Sequence, residues 1–486
     1  MMRLALILFA AGLLSADYPW IQNVRVSVEA PWDTLNQGES CFALWGDSIF
    51  SVCNTAERGQ VATAPYAYSF DGGLSFTQYP FIDSSTGIIW HTDPVIEVDD
   101  SGHVHMLIQF SLDLLNHYFS TDGGQTWSDT VNITSDYGVD KPWMIINKNE
   151  IYITWEQVSG QVGLWFAKST DYGRTFTKQR IWDRTGISIL CMDENETIHL
   201  ALLKWYEALY YRQSTDKGQT WSPEQYLSDN YYQTGYGDRF PINSITATGN
   251  VVFVTFVDTR NGDWDIWGIR SQDGGSTWDP KFVINDSTGG QCKGWSVFDP
   301  YGGLHVSYYH TPDWPTNQTS PFSYRYQYSP DSGNTFFSSM RVSDTATPSM
   351  DTFLGEYHVI RTDSQYVYAI WSDGRNGDDN DLYFSKALIS DLGCAESVVD
   401  VPKSDAILTM PTLWHGSTVI GIRSHPGPIT ITLYDCSGRM LKELFSGHLL
   451  KPRRIQINGA DLPQGVLFIS ARSSSLTEVH KVVNLR

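Results

Sequence analysis

Cysteine is scarce in this chain. There are six in 486 residues, at positions 41, 53, 191, 292, 394 and 436, and no two form a CxxC pair. That spacing argues against a zinc site. A Cys41–Cys53 bridge and buried free thiols are both open readings. Basic residues are also few: 33 Lys and Arg against 54 Asp and Glu, a net charge of −21 and a pI near 4.8. So acidic a protein repels phosphate backbones, which argues against nucleic acid as a partner. An anionic sugar would need arginines to focus a local positive field. Long apolar runs are missing too. The one candidate, residues 4–14, follows Arg3, is too short to span a bilayer and ends in the small-residue site Leu14-Ser15-Ala16. It reads as a secretory signal over residues 1–16, which predicts a secreted or cell-surface protein without a transmembrane segment.

What the chain has in quantity is one eight-residue pattern. Its six copies are Ser69-Phe-Asp71-Gly-Gly73-Leu-Ser75-Phe76, Ser120-Thr-Asp122-Gly-Gly124-Gln-Thr126-Trp127, Ser169-Thr-Asp171-Tyr-Gly173-Arg-Thr175-Phe176, Ser214-Thr-Asp216-Lys-Gly218-Gln-Thr220-Trp221, Ser271-Gln-Asp273-Gly-Gly275-Ser-Thr277-Trp278 and Ser329-Pro-Asp331-Ser-Gly333-Asn-Thr335-Phe336. The aspartates are 51, 49, 45, 57 and 58 residues apart, a period expected of a stacked or radial repeat. In S-x-D-x-G-x-[ST]-[WF], Ser and Asp can bond nearby amides to close a turn, and the glycine suits a positive φ. The aromatic pins the turn down. The flanks read as short strands, for example 94–98, 104–109, 115–120 and 131–134 around the second copy, or 151–156 and 164–169 before the third. Four short strands per repeat describe a propeller blade.

After the sixth copy, segments 354–360, 366–371 and 381–387 give a further unit three strands and no box. The missing strand is assigned to residues 24–28, because Arg25-Val26-Ser27 repeats Arg341-Val342-Ser343, the strand after the sixth box. An N-terminal strand there would close the ring and remove its open edges. The predicted fold class is therefore all-β: a seven-bladed β-propeller over residues 17–390, with six blades as the alternative. A linker at 391–403 and a small C-terminal β-sandwich at 404–486 follow.

The octapeptide resembles the Asp-box, or BNR repeat, of the sialidase superfamily. The resemblance implies that Asp71, Asp122, Asp171, Asp216, Asp273 and Asp331 are structural, on the face away from the catalytic centre. The tail, with Asp435-Cys-Ser-Gly438-Arg439 and Leu462-Pro-Gln-Gly465-Val466, resembles the sorting domain of type IX secretion substrates and the Ig-like module of flagellar hook-cap proteins. Where that sorting family has Tyr, this chain has Leu467, and a purely structural sandwich is the alternative.

Chemistry is expected where the innermost strands begin. Four such segments are polar: Trp90-His91-Thr92-Asp93-Pro94, Val139-Asp140-Lys141-Pro142-Trp143, Gly237-Asp238-Arg239-Phe240-Pro241 and Asp351-Thr-Phe-Leu-Gly355-Glu356-Tyr357. Equivalent positions in four blades would face one another across the channel. His91, Asp140, Lys141, Asp238 and Arg239 are thus candidate ligand contacts for a sugar, or else blade-locking ion pairs. The repeated D-x-R-N-G-D loops add Arg260 and Arg375, as internal ion pairs or as ligand contacts. The acidic loop 378–381 is a calcium candidate that lacks the full EF-hand spacing; no other cofactor is expected.

Sialidases resemble one another in three arginines that clamp the substrate carboxylate, a Tyr activated by a Glu, and an Asp acid/base. Carried onto this chain, these would be Arg239, Arg260 and Arg375, Tyr357 beside Glu356, and Asp93. Their first arginine normally sits in an R-[IL]-P motif ahead of the first box. Here the one lookalike, Arg239-Phe240-Pro241, comes in the fifth repeat. That departure, and a seventh blade where sialidases have six, favour a non-catalytic exported propeller that binds glycans or proteins at the cell surface. An exo-sialidase or other glycoside hydrolase working at the channel mouth is the alternative.

Overall fold

A computed structural model describes residues 19–28, 36–56, 63–83, 90–204, 207–231, 242–312, 320–347, 354–377 and 379–392. Beyond these it describes the strands and some of the turns between 408 and 484. The chain divides into two compact units, 1–389 and 390–486.

The first unit contains seven four-stranded antiparallel sheets among the described residues. In chain order the first strands are Asn36–Trp45, His91–Val98, Val139–Asn147, Ile187–Met192, Asn243–Thr248, Gly290–Phe298 and Ile360–Thr362. Each packs against the next, and the seventh against the first, so the sheets form a closed ring around an axis. This is a β-propeller. The fourth strand of the seventh sheet is Val24–Arg25, paired antiparallel with Asp381–Leu388. Its Arg-Val-Ser repeat has a geometric meaning. The amides of Val26 and Ser27 both donate to the Leu382 carbonyl, as those of Val342 and Ser343 both donate to that of Tyr324. Leu382 N–H returns a bond to Ser27 Oγ, and Tyr324 N–H to Ser343 Oγ.

One expected strand is shorter than predicted. Of residues 354–360, only Ile360 belongs to the seventh sheet's first strand. Upstream the backbone leans on the first sheet instead: His358 forms a parallel bridge with Ser40, and the Glu39 and Val359 amides donate to the Leu354 and Ser40 carbonyls.

All six boxes fold alike. The Ser hydroxyl donates to Asp Oδ1 at 2.7–2.9 Å and accepts the Gly amide at 2.7–2.9 Å. The Ser or Thr at the seventh position donates its amide to Asp Oδ1 at 2.7–3.0 Å and its hydroxyl to Oδ2 at 2.5–2.8 Å. The Thr126 hydroxyl and amide and the Ser120 hydroxyl hold the Asp122 carboxyl down to about 2. Two successive turn residues have positive φ, yet the first of them carries a side chain in three boxes: Tyr172, Lys217 and Ser332. The second is Gly in all six because an aromatic ring of the preceding sheet presses on it. A Cβ on Gly73, Gly124, Gly173, Gly218, Gly275 or Gly333 would lie 2.1–2.5 Å from Phe384, Tyr66, His117, Phe166, Tyr211 or Phe253 respectively. The box aromatics meet the same rings, as in Trp127 on Tyr66 and Trp278 on Tyr211. The boxes therefore fasten neighbouring sheets as well as closing turns.

The seventh sheet draws its third and fourth strands from opposite ends of the propeller segment, so no box joins them. Trp20, 1% exposed, fills that role: it packs edge-on against Tyr326 of the sixth sheet at 5.2 Å. A second repeated device escaped the sequence reading. Asp99, Asp193 and Asp299 cap the turn between first and second strands and bond His105, His199 and His305 at 3.2, 3.4 and 3.0 Å. Each histidine's other nitrogen meets His117, Tyr211 or Tyr326 on the third strand. Cys41, Cys53, Cys191 and Cys292 are free thiols, so Cys41 and Cys53 are not bridged. Burial pushes the Cys41 thiol up to about 11.

The second unit is a small two-sheet β structure. Leu408–Thr409, Ser417–Ile422 and Arg453–Asn458 form one sheet; Leu413–Trp414, Thr477–Asn484, Gly465–Arg472, His425–Asp435 and Met440–Leu449 form the other. Ile457 of the first sheet shares a core with Ile431, Leu433, Leu467 and Ile469 of the second. The Asp435–Arg439 turn closes through Arg439 N–H and Nε on the Asp435 carboxylate at 3.0 and 2.9 Å.

Adjacent glycines of the fifth box separate the cost of φ from that of crowding. A Cβ on Gly275 meets Tyr211 Oη at 2.1 Å, while one on Gly274 meets nothing within 4 Å. Gly274→Ala is expected to cost about 1 kcal/mol for its left-handed backbone. Gly275→Ala should cost about 3 kcal/mol, because overpacking adds to the same strain. Urea unfolding of the two variants checks the difference.

Candidate functional site

The box lies at the same end of its sheet as the turn between first and second strands: Gly72, Tyr172 and Gly274 donate backbone bonds to Asp47, Asn149 and Asn250 of those turns. The starts of the first strands lie at the other end, the mouth. There, four first strands carry a bulge with a non-glycine residue at positive φ: Glu39 (54°), Asp93 (47°), Lys141 (51°) and Lys293 (57°). Gly355, at 78°, precedes Glu356 in the segment that leads into the seventh. Asp93 and Lys141 both precede proline, which disfavours the right-handed helical alternative. Strained backbone of this kind persists only where surrounding structure enforces it, and it concentrates at functional sites. Bulges re-aim side chains, and these four place charged groups at the axis.

Lys141 Nζ is the hub. It lies 3.2 Å from Asp93 Oδ2, 2.7 Å from Glu356 Oε2 and 3.5 Å from Asp140 Oδ1. Thr92 Oγ1 donates to Asp93 Oδ1 at 2.8 Å. Asn54 Nδ2 donates to the Glu39 carboxyl and, at 3.2 Å, to Thr92 Oγ1. The Glu356 amide donates to Glu39 Oε1 at 3.2 Å, and Glu39 and Asp93 are near enough to shift each other's titration, Glu39 upward and Asp93 downward.

These groups titrate apart. Burial, reinforced by the Asp93 and Glu356 charges, pushes Glu39 well above the carboxylate range. Burial would raise Asp93 as well, but the Lys141 ammonium and the bonds from Thr92 and Glu39 carry it below its usual value. Lys141 is held well above the ordinary lysine range: burial opposes its charge, and Asp93, Glu356, Asp140 and Glu39 outweigh burial. Glu39 thus holds its proton more tightly than Asp93 does, and the carboxylates around Lys141 favour its charged form. Burial, then the nearby Asp140 charge, raises Glu156 to about 7. Glu156 lies opposite Asp140 across the strand pair.

Below the charged layer the axis is filled. Two residues past the left-handed position come Trp143, Trp295 and Tyr357. Trp143 packs on Trp295 at 4.9 Å between rings, across the ring from the third sheet to the sixth, and on Tyr357 at 5.7 Å. Tyr357 is 5% exposed, its hydroxyl donates to the Pro94 carbonyl at 3.0 Å, and burial lifts its phenol well above the normal range. Glu356 meets Lys141, and the Tyr357 hydroxyl turns instead to a backbone carbonyl.

Of the sequence candidates, Asp93, Asp140, Lys141 and Glu356 converge. His91 turns away: it accepts the Asp83 amide at 3.1 Å and packs on Phe110. Arg260 is held by Asp258 at 2.8 Å and by the Asp229 carbonyl at 2.6 Å, over Tyr231 and Trp267. Arg375 is held by Asp373 and Asp344, both at 2.6 Å, over Tyr383. Asp238 and Arg239 lie outside the described residues, as do Asp378 of the calcium candidate and residues 1–16. Asp381 of that loop pairs with Arg25 at 2.8 Å. Among the described residues, no group of three or more His, Cys, Asp or Glu side chains is arranged to hold a metal ion. Sequence reasoning missed Glu39, Asn54, Glu156 and Lys293. A signal existed for Lys293: Lys293-Gly-Trp295 repeats the Lys-x-Trp of Lys141-Pro-Trp143.

Fold and repeats together define the class, a β-propeller carrying Asp-box turns. The family description "BNR/Asp-box repeat" matches residues 118–129, which hold the second box. No curated protein matches the sequence significantly. Similar solved structures include a Hadza microbial sialidase, at 14% identity over 76% of this chain and 68% of that one, with a TM-score of 0.42. An ulvan lyase from a new polysaccharide lyase family is 11% identical over 78% and 100%, with a TM-score of 0.48. A Penicillium chrysogenum α-L-arabinanase complexed with arabinobiose is 13% identical over 76% and 98%, with a TM-score of 0.42. At these identities the likeness is one of fold, and no residue role is carried across.

Because Glu156 titrates higher folded than unfolded, the native state binds more protons between its ordinary 4.5 and about 7. Its contribution to stability therefore falls as pH rises through that window. Glu156→Gln is expected to flatten part of this decline in urea midpoints measured from pH 4.5 to 7.5, and an unchanged slope would contradict the assignment.

Proposed function

We propose that the chain is an exported propeller that binds neutral or amine-bearing glycans at its mouth and does not cleave sialosides. The observation that carries this reading is the Lys141 hub, an ammonium ringed by Asp93, Asp140 and Glu356 over a plug of Trp143, Trp295 and Tyr357. Sugar hydroxyls suit such a dense set of donors and acceptors. Carboxyls outnumber lysines here, so an anionic sugar would be repelled.

The sialidase alternative lacks support at two points. Arg260 and Arg375 already have carboxylate partners, and the Tyr357 hydroxyl is bonded to a backbone carbonyl. Export rests on the signal-like residues 1–16, and sorting on the resemblance of the tail.

The purified chain is expected to release no 4-methylumbelliferone from its α-sialoside and to retain neutral or amino-sugar glycans on an array. Asp140→Asn, at the partly exposed edge of the hub, should weaken that binding roughly tenfold, as loss of one charge-assisted hydrogen bond does. Sialoside turnover, or an array on which a cell-surface protein binds and no glycan does, would overturn the reading.

A further inference from the structure

Beside the mouth, on the third sheet, is a cleft of about 520 Å³ lined by Asp136, Tyr137, Gln157, Ser159, Gln161 and Trp165. None of these residues drew notice in the sequence. The volume falls within the range of small-molecule sites. The cleft lies close to the hub along the chain: Gln157 pairs with Val139 and Glu156 with Asp140, so their backbones are one strand step, about 3.3 Å, apart.

Its walls are held in place. Gln157, 3% exposed, donates to the carbonyls of Asp136 and Tyr137 at 3.1 and 2.7 Å and accepts from Trp155 Nε1 at 3.3 Å. Trp165 stacks on the buried Trp155 at an 18° interplanar angle and donates its indole N–H to the Gln161 carbonyl at 3.1 Å. Gly138 has φ +106°, and a Cβ there would meet the Ser159 amide at 2.6 Å, which fixes the approach of the two loops. Against this rigid frame the apolar groups are left in water: Tyr137 is 61% exposed, Val158 45% and Val162 44%. Clustered exposed apolar side chains rimmed by polar ones mark binding surfaces. A fixed indole and a phenol beside amide and hydroxyl groups suit the C–H face and hydroxyls of a sugar ring. Asp136 is engaged by Lys178 at 3.3 Å, and none of the described residues lining the cleft is itself cationic.

We infer that this cleft is a second subsite for a neutral oligosaccharide, taking a ring further along a chain whose first ring occupies the hub. The inference rests on the glycan-binding reading and adds to it a dependence on chain length. Calorimetry with neutral glucan, xylan, arabinan and galactan oligosaccharides of two to six residues tests it, on the parent chain, Trp165→Ala, Tyr137→Phe and Asp140→Asn. Thermal melts confirm that each variant is folded.

The parent is expected to bind longer oligosaccharides more tightly. Trp165→Ala should bind the longer ones about fivefold or more weakly, as loss of one aromatic contact does, and the disaccharides unchanged. Tyr137→Phe keeps the ring and should follow the parent. Asp140→Asn should weaken every length equally. A folded Trp165→Ala that matches the parent at every length overturns the subsite and leaves the hub standing. Sensitivity to Trp165→Ala without sensitivity to Asp140→Asn keeps the subsite and overturns the hub. Absence of binding by the parent at any length overturns both.

Discussion

The contact between each Asp-box glycine and an aromatic ring of the preceding sheet is the constraint on which the propeller depends. A box needs only its own Ser, Asp and Ser/Thr to close a turn. What makes its glycine obligatory is the neighbour, since Tyr66, Tyr211 or Phe384 occupies the space a Cβ would need. The same rings receive the box aromatics, so each turn is at once a corner and a fastener. The one sheet that cannot have a box, because its last two strands come from distant parts of the chain, uses Trp20 on Tyr326 instead.

Fastening one end leaves the other free to carry strain. Glu39, Asp93, Lys141 and Lys293 hold left-handed backbone at the mouth, at roughly 1–2 kcal/mol each for residues with a side chain. Packing alone would not call for this: the strands would pair in register without the bulges. The bulges bring charges from different sheets to one axis, where burial and neighbours separate their protonation states. Directly beneath, Trp143, Trp295 and Tyr357 pack together across the axis.

Much of the scaffold was legible because it is written in local bonds. The box closes within eight residues, so its Ser-Asp-Gly-Thr signature survives in the sequence. The strand at 131–134 begins and ends where alternation and turn residues placed it. The pairing of Val24–Arg25 with the seventh sheet was readable from the second Arg-Val-Ser, since the same three residues make the same bonds in both places. The site was legible in part. Asp93, Lys141 and Glu356 sit in conspicuously polar segments. Glu39 lies between Gly38 and Ser40 with no such flag, and its importance arises from contacts with Asn54 and Glu356, 15 and 317 residues away. The separate partners of Glu356 and Tyr357 were not readable, because sequence adjacency says nothing of direction: one side chain reaches Lys141 and the other the Pro94 carbonyl. The cleft at Trp165 was unreadable for a similar reason, as its lining joins a strand entry to a hairpin tip across the sheet.

The most direct test of the account is hydrogen–deuterium exchange of the chain with and without the neutral oligosaccharide it binds best. The account predicts slowed exchange in segments 136–143 and 157–165, with the box turns unchanged. Protection confined to the box turns, or none at the mouth under saturating ligand, would contradict it.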